Sequence, residues 1–483
     1  MAPRAALLFA ALALLLAAAP AAAAPGVFQV RRKFPAGGDA GGNITALRAH
    51  DGRRHGRLLA AADLKLGGLG LPTDTGLYFT EINLGTPPKH YFLQVDTGSD
   101  ILWVNCITCD ECPRKSGLGL DLTLYDPKAS STGSTVLCDQ EFCAATYGGK
   151  LPGCSSNVPC EYKVMYGDGS STTGFFVTDA LQFDQVTGDG QTKPGNASVT
   201  FGCGAQQGGD LGTSNQALDG IIGFGQANTS MLSQLAAAGK VKKVFAHCLD
   251  IVQGGGIFAI GNVVQPKVKT TPLVPDMPHF NVNLKSVDVD GTTLELPANI
   301  FETGDKKGTI IDSGTTLTYL PELVFKEVML AVFKKHQDIT FRNVQEFLCF
   351  QYSGSVDDGF PTITFHFEDD LALHVYPHEY FFANGNDMYC VGFQNGGSQS
   401  KDGKDIVLMG DLVLSNKLVV YDLENQVIGW TDYNCSSSIK VKDDKTGATY
   451  TVNSHDISSG WRFHWHKSLV LLLVTVVCSY LIC

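Results

Sequence analysis

YFLQVDTGSDILWV occupies residues 91–104 and GTIIDSGTTLTYL occupies residues 308–320. Both run from apolar residues into Asp, a hydroxyl residue, Gly and a second hydroxyl residue, then return to apolar residues. Each has a later companion with two apolar residues directly before a glycine, LDGIIGFG at 218–225 and DIVLMGDL at 405–412. The chain thus carries one unit twice. Asp96 to Gly223 is 127 positions and Asp312 to Gly410 is 98, so the first copy holds 29 residues more than the second.

A lone D-[ST]-G tripeptide is weak evidence, because Asp and Gly are common in turns. The chain supplies its own control in TDTGL at 73–77, which follows Gly and Pro instead of a strand and has Leu77 in place of the second hydroxyl residue. Asp74 reads as an ordinary turn acid. Asp96 and Asp312 differ because the apolar runs before them carry each carboxylate inward, where an unsupported charge is costly. Gly98 and Gly314 let backbone amides approach, and the hydroxyls of Thr97, Ser99, Ser313 and Thr315 can donate hydrogen bonds. Two such loops related by a pseudo-twofold axis would bring the acids together. At about 3 Å and an effective dielectric of about 20, two charges repel by roughly 5 kcal/mol, so the pair holds one proton.

The surplus of the first copy has a home. Seven cysteines (Cys106, Cys109, Cys112, Cys138, Cys143, Cys154 and Cys160) lie among Gly, Pro and Ser and read as a disulfide-knitted insertion over 106–160. CITCDEC could suggest zinc thiolates, but no His lies near it and a secretory compartment oxidises thiols, so no metal is expected. Seven is odd, so at least one bridge must leave the insertion, with Cys203, Cys248 or Cys435 as candidate partners. Cys349 with Cys390 is then the expected bridge of the second half.

The termini address the chain. MAPRAALLFAALALLLAAAPAAAA has one Arg, an apolar stretch and small residues, the order of a secretory signal peptide over 1–24. SLVLLLVTVVCSYLIC at 468–483 is 16 residues long, short of the roughly 20 that span a bilayer as a helix. Preceded by a polar spacer and by Ser458-Ser459-Gly460, it fits a glycosylphosphatidylinositol attachment signal over 461–483 with Ser458 as attachment residue; an ordinary tail anchor is the alternative. Asn196, Asn228 and Asn434 open glycosylation sequons, as does Asn43 in a segment expected to be discarded. Residues 25–61 hold seven Lys/Arg against two acids, and setting these and Arg4 aside leaves 28 basic against 46 acidic residues. A basic leader on an acidic body reads as a pro-segment, here 25–70, that docks electrostatically and loosens when carboxylates protonate. An acidic body argues against a nucleic-acid partner.

With both acids, both companion motifs and YGDGS at 166–170 in that order, the chain resembles the pepsin-like aspartic proteases. More narrowly it is similar to their plant nepenthesin-like branch with a lipid anchor. The resemblance covers about 76–435, with no saposin-like insertion in the second half. It implies an all-β fold with few short helices, in two pseudo-twofold-related lobes (71–270 and 271–435) with the active-site cleft between them and a linker over 436–460. It also implies that Asp96 and Asp312 hold a nucleophilic water and exchange base and acid roles. Tyr166 would be the flap tyrosine, on a tip with Gly167, Asp168 and Gly169, and Trp103 would steady it through its indole N–H. Ser99 and Thr315 would support the outer carboxylate oxygens, and Thr97 and Ser313 would cross between the loops. Ser313 stands where many relatives have Thr, and Asp168 adds a charge to the flap tip. No cofactor is called for.

The expected function is endopeptidase action on protein or peptide substrates, by a monomer carried through the secretory pathway to the outer face of the plasma membrane, with an acidic optimum. A binding protein on the same fold need not keep both acids, four hydroxyls and the flap tyrosine. A glycosidase carboxylate pair gives no reason for the repeated hydroxyl-and-glycine frame.

Overall fold

The computed structural model describes residues 60–457, apart from 75, 110, 210, 212–215, 298, 305–306, 386, 397–404 and 445. The signal peptide, most of the basic leader, Asn43, Ser458 and the apolar tail therefore lie outside the described residues. Short strands dominate, as the many glycine-marked reversals require, and the longest described helix is Glu322–Val332.

The repeat in the sequence is a repeat in the sheets. In the first half the acid-bearing strand Lys89–Asp96 runs parallel to Gly220–Gly223, with Asp96 opposite Gly223. Trp103–Asn105, the strand after the acid loop, pairs antiparallel on the other side of the same companion, with Trp103 opposite Ile221. In the second half Lys307–Ile311 runs parallel to Asp405–Met409, and Thr318–Leu320 pairs antiparallel with that companion through Tyr319 and Leu408. A parallel neighbour cannot be reached by a hairpin, so the long excursion between motif and companion is a topological necessity. All-apolar companions such as Gly220–Gly223, buried throughout, suit strands flanked on both sides.

The two halves share one sheet. Val244–Leu249 pairs with Gly256–Ile260 on one edge and with Lys417–Asp422 on the other, and Val427–Asp432 follows. Alternation divides its side chains. Phe245, Leu249, Val419 and Tyr421 join the large core that contains Val95, Phe224, Phe280 and Ile311, while Ala246, Cys248, Ile257 and Leu418 face a separate cluster. The bilobal β architecture expected from the resemblance is the observed one.

That separate cluster bears on the segment expected to be a linker. Ser438–Lys442 and Thr449–Asn453 form a hairpin that, with Asn262–Gln265, makes a three-stranded sheet. Ile439, Val441 and Val452 are buried against Ala246, Ile257 and Leu418, so these two strands are part of the folded body and not a linker. Likewise, Ala62–Asp63 is inserted between Gly256–Ile260 and Ser171–Gly188, and Leu66–Leu69 pairs with Leu77–Leu84. Residues 60–70, the end of the expected pro-segment, are thus woven into the sheet.

Six disulfides are formed among the described residues. Cys106–Cys203 leaves the insertion, as the odd count demanded, while Cys109–Cys112, Cys138–Cys154 and Cys143–Cys160 stay inside it. Cys349–Cys390 closes within the second half, and Cys248–Cys435 ties the shared sheet to the start of the C-terminal hairpin.

Candidate active site

Each acid sits where its strand ends and the chain turns through glycine. Gly98 N–H donates to Asp96 Oδ1 at 2.8 Å and Gly314 N–H donates to Asp312 Oδ1 at 2.7 Å. Ser99 Oγ donates to Asp96 Oδ2, and Thr315 Oγ1 donates to Asp312 Oδ2 at 2.7 Å. The same local frame, built twice, supports one oxygen from the backbone and one from a hydroxyl.

The glycines do more than free an amide. A β-carbon on Gly98 would stand 2.6 Å from Asp312 Oδ2, and one on Gly314 would stand 2.6 Å from Asp96 Cγ. Each carboxylate therefore occupies the space that a side chain on the opposite loop would fill, which brings the two acids into contact range. Both are buried, Asp96 at 6% and Asp312 at 9% exposure. Burial, and then the Asp312 charge, push the Asp96 carboxyl up to about 7 against the hydrogen bonds from Ser99 and Gly98. A pair so placed shares a proton, which is the state that can activate water on one side and protonate a leaving group on the other.

Across the loops only half of the expected grip forms. Thr97 Oγ1 accepts the Ser313 N–H at 2.8 Å. Ser313 Oγ, though buried, has no partner among the described residues, so its expected crossing is not made. Serine lacks the second Cβ substituent that restricts the threonine rotamer, so its hydroxyl is not held toward the other loop.

The flap is the hairpin of Glu161–Met165 with the strand from Ser171, closed by Tyr166–Ser170. Trp103 Nε1–H donates to Tyr166 Oη at 2.7 Å. Burial, and then the Asp96 charge, raise the Tyr166 hydroxyl well above its ordinary range. Gly169, at φ 88°, takes the left-handed turn position, while Gly167 is not in that region. Asp168 Oδ1 accepts from Ser170 N at 2.8 Å and Ser170 Oγ at 2.7 Å, so the flap-tip charge is exposed but tied back to its own turn.

Three acids that support the site were not singled out from sequence. Asp219, just before Gly220 at the start of the first companion strand, accepts Phe92 N–H at 2.8 Å and Thr123 N–H at 2.6 Å, and burial raises it to about 7. Asp411, just after the other companion glycine, is raised well above the carboxylate range by burial and then by the charges of Asp312 and Asp96. Asp100 accepts Ala227 N–H at 2.8 Å, tying the first loop to the end of its companion. The signal was an acid adjacent to glycine inside each companion motif, which reads locally as a turn acid. Elsewhere, Asn196, Asn228 and Asn434 are all exposed. Among the described residues no cluster of three His, Cys, Asp or Glu side chains is arranged around a metal position.

Residues 78–262 match the family described as xylanase inhibitor N-terminal and residues 279–432 its C-terminal counterpart. The chain is 51% identical over 452 residues to Aspartic proteinase 36 of Arabidopsis thaliana, spanning 93% of this chain and 92% of that protein. Aspartic proteinase nepenthesin-1 of Nepenthes gracilis is 31% identical over 379 residues, spanning 75% of this chain and 79% of the relative. Among solved structures, the soybean basic 7S globulin superposes with a TM-score of 0.59 at 19% identity, over 77% of this chain and 96% of that one. The structure of edgp gives 0.61 at 20% identity over 78% and 95%, and these two show the shared fold. With a duplicated acid loop, a tyrosine flap and relatives of this identity over nearly its whole length, the chain belongs to the plant pepsin-like aspartic proteases and is an aspartic endopeptidase.

Proposed function

We propose that Asp96 and Asp312 are the catalytic pair of a secreted, acid-active endopeptidase held at the cell surface by a glycosylphosphatidylinositol anchor. The observation that carries the catalytic assignment is the reciprocal seating of each carboxylate against the other loop's glycine. The ionised member of the pair takes a proton from a water held between them. The water attacks the scissile carbonyl, and the protonated member delivers its proton to the carbonyl oxygen. Collapse of the tetrahedral intermediate then returns a proton to the leaving amine, which departs as the peptide bond breaks. Ser99 and Thr315 hold one oxygen of each carboxylate, and the glycine amides hold the other, which faces the water. Tyr166 on its hairpin covers the substrate and excludes solvent.

Hydrolysis needs one proton on the pair, which argues for an acidic optimum. The order of charged, apolar and small residues at the N-terminus supports secretion, and six disulfides suit an oxidising compartment. Exposed Asn196, Asn228 and Asn434 are the proposed glycan sites, and Ser458, one residue beyond the described body, is the proposed anchor site. An inhibitor without activity is not favoured, because it gives no reason for the symmetric support of two buried acids.

Digestion of a proteome-derived peptide library with acid-treated protein, beside Asp96→Ala, tests the assignment. Cleavages made by the wild type and absent from the variant support it; equal cleavage by both overturns it. Release from membranes by phosphatidylinositol-specific phospholipase C tests the anchor, and retention after effective digestion would favour a spanning tail.

A further inference from the structure

Two segments from opposite ends of the described chain meet, and both lie outside the stretches that match the family, 78–262 and 279–432. One is residues 60–69, expected to end the pro-segment. The other is residues 454–457, which lead to the proposed anchor site. His455 pairs with Gly256 through two backbone hydrogen bonds of 2.8 Å, at the start of the strand that Ala62–Asp63 borders. From there His455 Nε2 comes within 2.9 Å of Asp63 Oδ2. Two residues on, Ile457 N–H donates to Leu66 O at 3.0 Å. A β-carbon on Gly67 would stand 2.8 Å from both Ile457 Cγ1 and Phe79 Cζ, so the strand is bare where the C-terminal segment crosses it.

Residues 60–69 are held as a core strand is held, not as a removable cover. Ala60, Ala61, Ala62, Leu64 and Leu66 are all buried. Ala60 N–H donates to Lys240 O and Leu64 N–H to Phe258 O, both at 2.9 Å. In return Ala61 O accepts Val186 N–H at 2.9 Å, and Gly68 O accepts Gly255 N–H at 2.8 Å. Withdrawing the strand would leave these backbone partners unpaired inside the protein, which costs free energy at each group. Asp63 adds a side-chain reason. It is 7% exposed, and a carboxylate so buried needs a partner, which the C-terminal segment supplies. The basic residues expected to dock the leader end at Arg57, upstream of this strand.

We propose that the activating cut falls upstream of Ala60, and that residues 60–69 stay in the mature enzyme as one half of a clasp whose other half is residues 454–457. The clasp joins the anchor-bearing end of the chain to the core. Ala62, Leu64 and Leu66 pack in the large core, while Ala61 packs in the cluster of Ile439, Val441 and Val452. The position of the cut rests on the reading that the protein is secreted with a leader. The clasp does not, and neither depends on the catalytic pair.

The test has two arms, and neither reads activity. In the first, the full chain is expressed in secreting cells, acid-treated, and characterised by N-terminal sequencing and intact mass. The expected product has lost residues 25–50 and begins at or upstream of Ala60. A folded product that begins at Ala61 or later overturns the retained strand, and one that keeps any of residues 25–50 overturns the cut. A chain still beginning at Met1 ends the secretory reading and the cut with it, and leaves the clasp to the second arm. That arm is hydrogen exchange of the folded protein, with folding checked by thermal melting. His455→Leu is expected to speed exchange at least about fivefold in both 62–69 and 452–457, because the two segments open together. His455→Gln keeps an N–H for Asp63 and is expected to keep most of the protection. Gly67→Ala must push Ile457 aside, is expected to loosen the same two segments, and carries the arm if His455→Leu does not fold. Loosening confined to one segment, or in neither, overturns the clasp, as do equal losses in His455→Gln and His455→Leu.

Discussion

Asp96 Cγ lies 2.6 Å from the point where a β-carbon on Gly314 would stand, and Asp312 bears the same relation to Gly98 at 2.6 Å from its Oδ2. The closeness of the two acids is thus written as two missing side chains. Longer-range packing brings the loops into register, but only glycine lets the final approach happen.

Gly314→Ala should therefore damage activity more than stability. The new methyl group must displace the Asp96 carboxyl, and a misplacement of about 1 Å in a reacting group costs on the order of 100-fold in rate. The expected result is a loss of kcat/KM of about that size, measured on a quenched peptide. Gly304→Ala, with nothing within 4 Å of the added carbon, is the control and should be silent.

Much of this site was legible because its chemistry is local. The acid, its hydroxyls and its glycine lie within four residues, and each copy checks the other. The single bridge expected within the second half, Cys349–Cys390, was legible because the odd count in the insertion drew the other candidates elsewhere. What stayed hidden depends on neighbours distant in sequence. Ile439, Val441 and Val452 alternate with polar residues, a strand signal, but much of the apolar surface they cover belongs to strands far earlier in the chain. Asp219 and Asp411 look like turn acids until the sheet that buries them is built. The idle hydroxyl of Ser313 is a matter of rotamer, on which sequence is silent.

Trp103→Phe keeps the buried ring and removes the N–H that Tyr166 Oη accepts. The flap tyrosine then loses the bond that fixes its orientation. A neutral hydrogen bond contributes about 1 kcal/mol, so kcat/KM should fall about five- to tenfold. Tyr166→Phe removes the same bond from the other side, and the double variant should be no worse than about the larger single loss, because the two act as one unit. Additive losses would show that the pair does not act through this bond.

Stability should rise as pH falls from neutrality. Asp96 and Asp219 are raised to about 7, and Asp411 is raised by burial and then by the charges of Asp312 and Asp96. A carboxyl whose folded pKa exceeds its unfolded value binds its proton more tightly when folded. Its contribution is full below the unfolded pKa of about 4 and is lost as pH climbs through the folded value, a tenfold difference in proton affinity being worth about 1.4 kcal/mol. Asp179 and His247 act in the opposite sense. Burial pushes Asp179 up, but hydrogen bonds from Thr132 and Tyr125 among others outweigh this and lower it, so its contribution is lost in strong acid. Burial lowers His247 to about 3, so part of the gain from the three raised acids is offset as pH falls below about 6.5. Melting temperature should therefore peak near pH 4 and decline toward pH 7, and Asp411→Asn should flatten that decline. A melting temperature that climbs from pH 4 to pH 7 would contradict the burial of these acids.

The C-terminal hairpin offers the sharpest distinction between a tether and a structural part. Ile439 is 1% exposed and packs in the cluster that includes Ala246, Cys248 and Leu418 of the shared sheet. If the segment were a linker, Ile439→Asp would be harmless. As part of the core, it must place a carboxylate among apolar groups, at a cost on the order of several kcal/mol, a large share of ordinary folding stability. The expected outcome is a melting temperature lowered by several degrees or more, while exposed Lys440→Ala, its neighbour on the opposite face, leaves it unchanged. Because Cys435 lies just before this hairpin and is bonded to Cys248, loss of the packing should also make that bridge the first to yield to mild reductant, read by thiol alkylation and peptide mapping.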